Sequence, residues 1–484
     1  MEQESVNLRS EQSWYDQLDG PRQDDPARCY RVLVADLVGL RLNEQGQPDC
    51  SVFAAHVRAR GAAFWSASEH PPEQLKKSAG ICFEYYPQLA QEKELLALTA
   101  EGQYDAIIAA ATVIPAGSRF VEGGVRIGAG TANMASQNFS SGSAPLMNTP
   151  GFNSRATAQM VFKALLRVRP DLPFERIHER VREARFDTGR NLPEFPTAKL
   201  EGQRIAVLGY GNIGREVALI ARAFGMQVAV YARSALKPWI EAEGFEFCAT
   251  VIEAANGAHI LSPHLGLGAK TSDGFANAGL VDAAVFDVLA DQAVLINFDR
   301  GELVDVPDLM VALDKGQISQ VAVDADIFGA QDERHGPLVP YLQLLDNHGR
   351  RVLLLPHAAA DTDHPSRVAG ALQAADQIIA AIRYKYVVNR VGPLPVGYSD
   401  MGQHSILGVG RVDATVIDEL RKDTQEVASL RQQLATVDSW LDALLVSNGD
   451  PNENTIDTQG ALLALSRVSN RARELGLIGP GSDL

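Results

Sequence analysis

Residues 205–234 read IAVLGYGNIGREVALIARAFGMQVAVYARS and contain the pattern GxGxxG at Gly209, Gly211 and Gly214. The short apolar run before the glycines predicts a buried strand, and apolar residues at helical spacing follow them. A second strand is predicted at Gln227–Tyr231, which completes a βαβ unit. This order of strand, glycine turn, helix and strand distinguishes the stretch from a chance glycine pattern.

A separate physical requirement explains why each of these three positions is a glycine. One allows the tight turn, one lets the backbone approach a pyrophosphate, and one lets the helix pack on the sheet. The helix that begins at Asn212 and Ile213 offers unpaired N–H groups and a partial positive charge to an anion. The unit therefore predicts dinucleotide binding.

Composition limits the remaining possibilities. A chain of 484 residues suggests about three domains. Its formal net charge of −16 makes nonspecific binding to nucleic acid or to an acidic membrane unfavourable. No apolar run reaches membrane length and the N-terminus is polar, so we expect a cytoplasmic location. The cysteines lack a CxxC pair and predict reduced thiols, with no metal site: Cys29, Cys50, Cys82 and Cys248.

Strand-like and helix-like segments alternate from Tyr30 onwards, which predicts parallel sheets covered on both faces. A run of helical character from Asn153 to Arg185 is interrupted at Pro170 and Pro173. A further helix, from about Pro365 to Tyr384, is expected to return the chain to the first domain. The predicted divisions are a flexible segment at 1–28, a substrate domain at 29–152 and 362–392, a dinucleotide-binding domain at 153–361, and a linker with a helical extension at 393–484.

The C-terminal extension has its own pattern. Apolar residues between Val412 and Leu445 follow 3-4 spacing, and a second apolar helix is predicted at Ala461–Leu475. A helix packed on its own protomer and a helix paired with another subunit give the same pattern, so both interpretations stand.

Two residues at the ends of later apolar strands could carry chemistry. Arg300 follows the strand in LINFDRGELVD, and its guanidinium suits a carboxylate or a carbonyl oxygen. His357 ends the strand in RVLLLPHAAADTD and could exchange a proton near neutral pH. His264, in LSPHLGLG, is interpreted as structural or as lining the cofactor.

The order of these segments resembles the D-isomer-specific 2-hydroxyacid dehydrogenases over about Ile107 to Val391. GVRIGAGTANM is similar to the family's glycine loop, and PLMNTPGFNSRATAQ to its NTPG segment. The glycine unit, LSPHLGLG, AVLINFDRGELVD, GQISQVAVDADIF and LLLPHAAADT follow in family order. The resemblance implies two doubly wound parallel-sheet domains, a flavodoxin-like substrate domain and a Rossmann cofactor domain, here with an added α-helical C-terminal tail.

The resemblance also implies roles for single residues. Arg300 would bind the substrate, and His357 would be the general acid/base. The loop of Gly128, Ala129 and Gly130 would offer backbone N–H groups to the anionic group of the substrate. Asp326, in the DIF that is similar to the family's DVF, would help to hold the nicotinamide amide.

The chain departs from the family at the expected partner of the catalytic histidine. The family has a Glu five residues beyond the equivalent of Asp326, where this chain has Gln331; a small shift would offer Asp332 or Glu333. A carboxylate partner stabilises the charged imidazole, whereas an amide does not. Further departures are Ala132 in place of an Asp, with Gly266 and Gly268 in place of the common Pro and Thr.

The end of the second strand bears on the choice of cofactor. NAD binding usually needs an acid there for the ribose 2′-OH, but this chain has Ala232, Arg233 and Ser234, with no acid before Glu241. An arginine at this place can pair with a 2′-phosphate. We therefore favour NADP over NAD, the alternative being that Arg233 only stacks on adenine.

Two functions are compatible with these residues. The first is a cytoplasmic NAD(P)-dependent oxidoreductase for a small anionic 2-hydroxy or 2-oxo acid, without a metal. The second is a cofactor-sensing binding or scaffold protein with little turnover, since the family includes a transcriptional corepressor. The resemblance also implies a homodimer formed through the cofactor domain, and the tail could add to the contact between subunits.

Overall fold

The structure is a computed structural model and describes residues 14–403, except 38–39, 45, 67–78, 87–91, 131–133, 135–142, 170–172, 273 and 330–333. The chain divides into two compact units. One consists of Met1–Arg233 with Phe247–Arg411, and the other of Ser234–Glu246 with Val412–Leu484. Both large sheets belong mainly to the first unit. Of the smaller unit, the structure describes Ser234–Glu246, which includes a short helix.

The first sheet has six described strands, and every printed pairing between them is parallel. Their order is β2-β3-β1-β4-β5-β6, so the sheet grows outwards on both sides of β1. All four residues of β4 are buried, as expected for a parallel strand covered on both faces. The strands are β1 (Cys29–Val34), β2 (Ala63–Ser66), β3 (Gly80–Tyr85), β4 (Ala106–Ala109), β5 (Gly123–Arg126) and β6 (Leu146–Asn148).

The second sheet has seven described strands in the order β15-β14-β13-β10-β7-β8-β9. The pairings from β15 to β8 are parallel. Its strands are β7 (Arg204–Leu208), β8 (Gln227–Tyr231), β9 (Glu246–Cys248), β10 (Ile260–Pro263), β13 (Ala293–Asn297), β14 (Ile318–Asp324) and β15 (Val352–Leu355). Two short ladders join β11 (Lys270–Thr271) to β12 (Gly274–Phe275) and β16 (Tyr386–Val387) to β17 (Ser399–Asp400).

Helices connect these strands. The α-helices within the described ranges are α1 (Ser51–Ala59), α2 (Glu92–Thr99), α3 (Ser154–Val168), α4 (Phe174–Arg182), α5 (Thr188–Asn191), α6 (Asn212–Ala223), α7 (Lys237–Ala242), α8 (Val251–Ala255), α9 (Ala283–Asp287), α10 (Val306–Asp314), α11 (Leu344–His348), α12 (Ala358–Asp361) and α13 (His364–Tyr384). The prediction of an α/β fold with two parallel sheets is confirmed. The predicted helices of the tail lie outside the described residues.

Helix α13 completes the core of the first sheet, although it follows every strand of the second. Its fully buried Ile378, Ile379 and Ile382 belong to the same hydrophobic cluster as Val32 of β1 and Phe83 of β3. Helix α3, in contrast, packs against β14 of the second sheet and against α6, which connects two strands of that sheet. The first core is therefore built from two stretches of chain that are far apart in sequence.

Two local predictions differ from the structure. The segment 1–28 is predicted to be flexible, but Tyr15 is buried in the first core, beneath the guanidinium of Arg60 at 4.3 Å from the ring centroid. In the predicted alternation of strands and helices from Tyr30 onwards, the sequence pattern of Val52–Phe64 indicates a single helix, but α1 ends at Ala59 and the strand β2 begins at Ala63. Gly61, at φ +68°, makes the turn between them.

Candidate functional site

The predicted site residues of the second sheet lie along one edge. Because the strands are parallel, their carboxyl ends meet at this edge, where open α/β sheets bind ligands. Strands lie about 4.8 Å apart, so the row from β8 to β15 extends about 24 Å. In spatial order the residues are Arg233 after β8, Gly209 after β7, His264 after β10, Arg300 after β13, Asp326 after β14 and His357 after β15.

Two glycines of the turn are required by the chain's own packing. Gly209 has φ +109°, and a Cβ atom there would overlap the carbonyl oxygen of His264. A Cβ atom on Gly214 would overlap the carbonyl oxygen of Gly209, where α6 crosses the turn. Both positions therefore exclude a side chain even without a ligand.

Gly211 is different, because nothing lies within 4 Å of where its Cβ atom would be. It is the N-cap of α6, and its carbonyl oxygen accepts a hydrogen bond from Arg215 N–H at 3.0 Å. The next residues, Asn212 and Ile213, are half-buried and begin the helix, whose first N–H groups lack partners within the helix. Open space in front of a helix N-terminus fits the pyrophosphate of a dinucleotide.

His264 lies behind this turn and is 7% exposed. Its Nε2 atom is 2.8 Å from the hydroxyl of Ser262, while Nδ1 is buried with no described hydrogen-bond partner. Burial lowers the pKa of the imidazole to about 3, so the ring is neutral at physiological pH. The chemistry of His264 is thus that of a neutral hydrogen-bonding group.

The end of β8 lies directly beside the glycine turn, because Gly209 N–H donates to the carbonyl oxygen of Tyr231 at 2.8 Å. Ala232 is buried and Arg233 is exposed. Ser234 begins a short 3-10 helix that belongs to the smaller unit. The side chain of Arg233 is therefore the one cation among the three residues that follow this strand.

Hydrogen bonds from buried side chains fix the turn that carries Arg300. The fully buried Asn297 ends β13; its Nδ2 donates to the carbonyl oxygen of Arg300 at 3.1 Å, and its Oδ1 accepts from Asp299 N–H at 3.2 Å. The hydroxyl of Tyr341 donates to the carbonyl oxygen of Gly301 at 2.6 Å. The backbone of Arg300 is thus fixed, while its side chain remains 39% exposed.

A carboxyl group accompanies this guanidinium. Asp299 Oδ1 lies 3.9 Å from Arg300 Nε, and the Asp299 side chain is 17% exposed. Burial raises the pKa of the Asp299 carboxyl to about 7, against the opposing effect of the Arg300 charge. The charge beside Arg300 therefore changes near neutral pH.

His357 has an unusual backbone conformation and two acidic neighbours. Its φ of 56° and ψ of 39° place it in the left-handed region, at a cost of about 1–3 kcal/mol for a residue other than glycine. Its Nδ1 atom lies 3.7 Å from Oδ1 of Asp326. The carboxylate of Asp324 accepts hydrogen bonds from the N–H groups of Ala358 and Ala359.

The glycine loop of the predicted substrate site lies at the carboxyl edge of the first sheet. Gly128 N–H donates to the Thr149 hydroxyl at 2.9 Å, and its carbonyl oxygen accepts from Thr149 N–H at 3.1 Å. Asn148 Nδ2 donates to the carbonyl oxygen of Ala129 at 2.6 Å. Ala129 and Gly130 are exposed, so the loop presents backbone to solvent on a fixed base.

Sequence reasoning missed two acids that shape these loops. The carboxylate of Asp36 accepts from the N–H groups of Ala110, Ala111 and Thr112, which form the loop after β4. Asp324 is the other. Asp36 lies two residues beyond the end of β1 and Asp324 is the last residue of β14; in both cases the signal in the sequence is an acid that directly follows apolar residues. Gln331, Asp332 and Glu333, the alternatives for the His357 partner, lie outside the described residues, as does Ala132.

The described parts of the chain lack two kinds of feature. No three His, Cys, Asp or Glu side chains gather there into a group able to hold a metal ion. No helix of those parts is long and apolar enough to cross a membrane.

Known proteins are similar to this chain in sequence and in fold. Residues 172–359 match the family described as "D-isomer specific 2-hydroxyacid dehydrogenase, NAD binding domain". The D-3-phosphoglycerate dehydrogenase of Methanocaldococcus jannaschii is 25% identical over 278 residues, which are 57% of this chain and 49% of that protein. The glyoxylate reductase of Aeropyrum pernix is 29% identical over 50% of this chain and 68% of its own length.

The chain therefore spans about half the length of the phosphoglycerate dehydrogenase that it matches. A crystal structure of a glyoxylate reductase from Paecilomyes thermophila has the same fold, with a TM-score of 0.52 at 21% identity over 76% of this chain and 99% of that one. The match in sequence covers the glycine turn, Arg300 and His357 together. Residues 172–359 thus carry a NAD-binding domain of the D-isomer specific 2-hydroxyacid dehydrogenase type.

Proposed function

We propose that the chain is a nicotinamide-dependent oxidoreductase for a small anionic 2-hydroxy or 2-oxo acid. The observation that carries this proposal is the placement of Arg300, Asp326 and His357 at the ends of three adjacent strands, in line with the glycine turn. When bound, the nicotinamide supplies or takes up the hydride at the substrate carbon. The protein residues supply binding, polarisation and the proton.

Arg300 binds the substrate. Its exposed guanidinium, on a backbone fixed by Asn297 and Tyr341, can pair with the carboxylate of the substrate and polarise the neighbouring carbonyl oxygen. Of the predicted loop, Ala129 and Gly130 are exposed and offer backbone N–H groups to the same anionic end, whereas the N–H of the buried Gly128 already donates to the Thr149 hydroxyl.

His357 moves the proton. Its Nδ1 atom faces the carboxylate of Asp326, which leaves Nε2 to give a proton to the substrate oxygen in reduction, or to remove one in oxidation. The carboxylate also stabilises the charged imidazole. We propose that Asp326 fulfils the role for which the family uses a Glu, in addition to or instead of holding the nicotinamide amide.

NADP is the proposed cofactor. The exposed Arg233 at the end of β8, beside the glycine turn, is placed for the 2′-phosphate, and no acid there repels it. Gly211, Asn212 and Ile213 would hold the pyrophosphate, with Gly209 and Gly214 shaping the turn, and with His264 lining the site.

The test is a screen of 2-oxo and 2-hydroxy acids with NADP(H) and NAD(H), followed by the absorbance of the reduced cofactor. Arg300→Ala and His357→Ala should each remove the activity found. Full turnover in either variant would contradict the assigned roles. Cofactor binding without turnover on any of these acids, with both residues intact, would instead favour the cofactor-sensing scaffold.

A homodimer is proposed through the exposed segment around α4. Helix α4 buries none of its residues, and large apolar side chains are exposed along this part of the chain: Leu166, Phe174, Val181 and Leu192. Phe174→Glu should shift the sedimentation coefficient from dimer to monomer. A monomeric wild-type chain would contradict the proposal.

We also propose a cytoplasmic location, in agreement with the four cysteines remaining as thiols.

A further inference from the structure

We propose that Asp324 is a positioning residue for His357, which it holds in a productive orientation through the backbone and not through the imidazole ring. The inference rests on the proposed role of His357 as the general acid/base. Its structural part stands on contacts that exist without substrate or cofactor.

The contacts join two neighbouring strands at their carboxyl ends. Asp324 is the last residue of β14 and pairs with Leu355, the last residue of β15. Its Oδ1 atom accepts a hydrogen bond from Ala358 N–H at 2.6 Å, and its Oδ2 atom accepts one from Ala359 N–H at 2.7 Å. The residue is 3% exposed. Both oxygens of one buried carboxylate are thus used on consecutive peptide groups.

These peptide groups are the ones that follow His357. Fixing the N–H of Ala358 fixes the plane of the peptide between His357 and Ala358, and so fixes ψ of His357. A residue other than glycine keeps a left-handed conformation only when its surroundings impose it, and here φ is 56° and ψ is 39°. Relaxation to negative φ would turn the Cα–Cβ bond, and the imidazole would leave the neighbourhood of Asp326.

A side chain without acceptors could not replace Asp324. The first N–H groups of a helix have no partner within it, and α12 has only four residues with which to compensate. A hydrogen bond to a charged acceptor is about twice as strong as a neutral one. Asparagine has the same shape but only one acceptor oxygen, and its NH₂ group would face the N–H of the other alanine.

Asp324 and Asp326 therefore act on different parts of the segment that carries His357. Asp326 approaches the ring at Nδ1, while Asp324 holds the backbone after it. The two residues are separated by Ala325, whose N–H donates to the carbonyl oxygen of Leu355 at 3.1 Å. One short segment at the end of β14 thus controls both the ring and the backbone of the proposed acid/base.

The first test compares the 484-residue chain with two of its variants and needs no substrate. Amide hydrogen exchange should show that Ala358 and Ala359 N–H are protected, although they begin a helix of one turn. In Asp324→Asn at least one of the two amides should lose this protection, because asparagine has a single acceptor oxygen, and in Asp326→Asn both amides should stay protected. Exchange of both amides at the rate of a free peptide in the wild-type chain would overturn the proposal, even if Asp324→Asn fails to fold.

The second test uses the activity. Asp324→Asn should reduce kcat roughly 100-fold with KM for the cofactor little changed, since a displacement of about 1 Å can cost this much. The matched control is Asp363→Asn, which removes a cap of the same kind, on Ser366 N–H of α13. An unchanged kcat in folded Asp324→Asn, or an equal loss in Asp363→Asn, would overturn the positioning role. A wild-type chain without turnover would count against the proposed function and leave the exchange result decisive for Asp324.

Discussion

The Nδ1 atom of His357 lies 3.7 Å from the Oδ1 atom of Asp326, between the ends of two adjacent strands. In the D-isomer-specific 2-hydroxyacid dehydrogenases, which this chain resembles, the partner of the histidine is a Glu five residues beyond the equivalent of this acid. Here Asp326, two residues beyond the end of β14, lies beside the imidazole. We propose that Asp326, which comes five residues earlier in the chain than the family's Glu, provides the carboxylate for the proton transfer.

Replacing this carboxylate should separate its two candidate roles. In Asp326→Asn we expect kcat to fall by about 10- to 100-fold, because the imidazolium loses its counter-charge. The cofactor Kd, measured by fluorescence titration, should stay within about twofold if the residue serves the histidine, since each tenfold change needs about 1.4 kcal/mol. A large rise in Kd with an unchanged kcat would instead assign Asp326 to the nicotinamide amide.

The three glycines of the turn should respond differently to alanine. Gly211→Ala meets no neighbour within 4 Å at an ordinary backbone angle, so the melting temperature should not change. Its methyl group enters the space in front of α6, and the cofactor Kd should rise by about 10-fold or more. Gly214→Ala, the matched comparison, should lower the stability by about 1–3 kcal/mol, because its Cβ atom overlaps the carbonyl oxygen of Gly209. Equal effects of both substitutions on the melting temperature would refute this account of the turn.

Arg233 should determine which cofactor is preferred. Arg233→Ala removes the cation at the end of β8 and should raise KM for NADP(H) by about 10- to 100-fold, which corresponds to about 1.5–3 kcal/mol for a hydrogen bond to a charged group. KM for NAD(H) should change little. If the two cofactors lose affinity equally, Arg233 stacks on the adenine that they share. A strong preference of the wild-type chain for NAD would remove the proposal altogether.

Asp299 should make stability depend on pH. Because burial raises the pKa of its carboxyl to about 7 from an ordinary value of 3.8, the folded chain keeps a proton there that the unfolded chain releases. This contribution is complete below about pH 4 and is lost as pH rises through about 7. Asp299→Asn cannot ionise, so it should be more stable than the wild type at pH 8, by on the order of 2 kcal/mol, and equally stable at pH 4.

Urea unfolding at the two pH values measures this difference. Asp291→Asn, a substitution of the same kind at an exposed residue, serves as the control. A gain that is the same at pH 4 and pH 8 would show that the amide packs better and that ionisation has no part in it.

Local sequence patterns predicted the parallel sheets because strands and helices differ in the spacing of their apolar residues. They missed β2, because Gly61 stops α1 within an apolar run that would otherwise continue at helical spacing. They also missed the packing of Tyr15, since a polar segment conceals one aromatic side chain whose partners, Arg60 and Arg383, come much later in the chain.

The candidate site shows the same limit. Arg300 and His357 were visible as polar residues directly after apolar strands, and the glycine turn as a spacing. Asp324 was visible only as one more acid, because its function depends on peptide groups 34 residues later that the register of β14 and β15 brings beside it. Contacts of this kind are a property of strand order, which no single segment encodes.

The late contribution of α13 to the first core has a consequence for biosynthesis. The chain emerges from the ribosome N-terminus first, so strands β1 to β6 are exposed before Ile378, Ile379 and Ile382 have been made. The strands of the second sheet, in contrast, come from one uninterrupted stretch, Arg204–Leu355. The second sheet can therefore fold during synthesis while the first waits for its last helix. We expect a chaperone that acts on nascent chains to bind the strands of the first sheet. A premature stop codon before α13 would leave these strands without the apolar side chains that α13 contributes to their core.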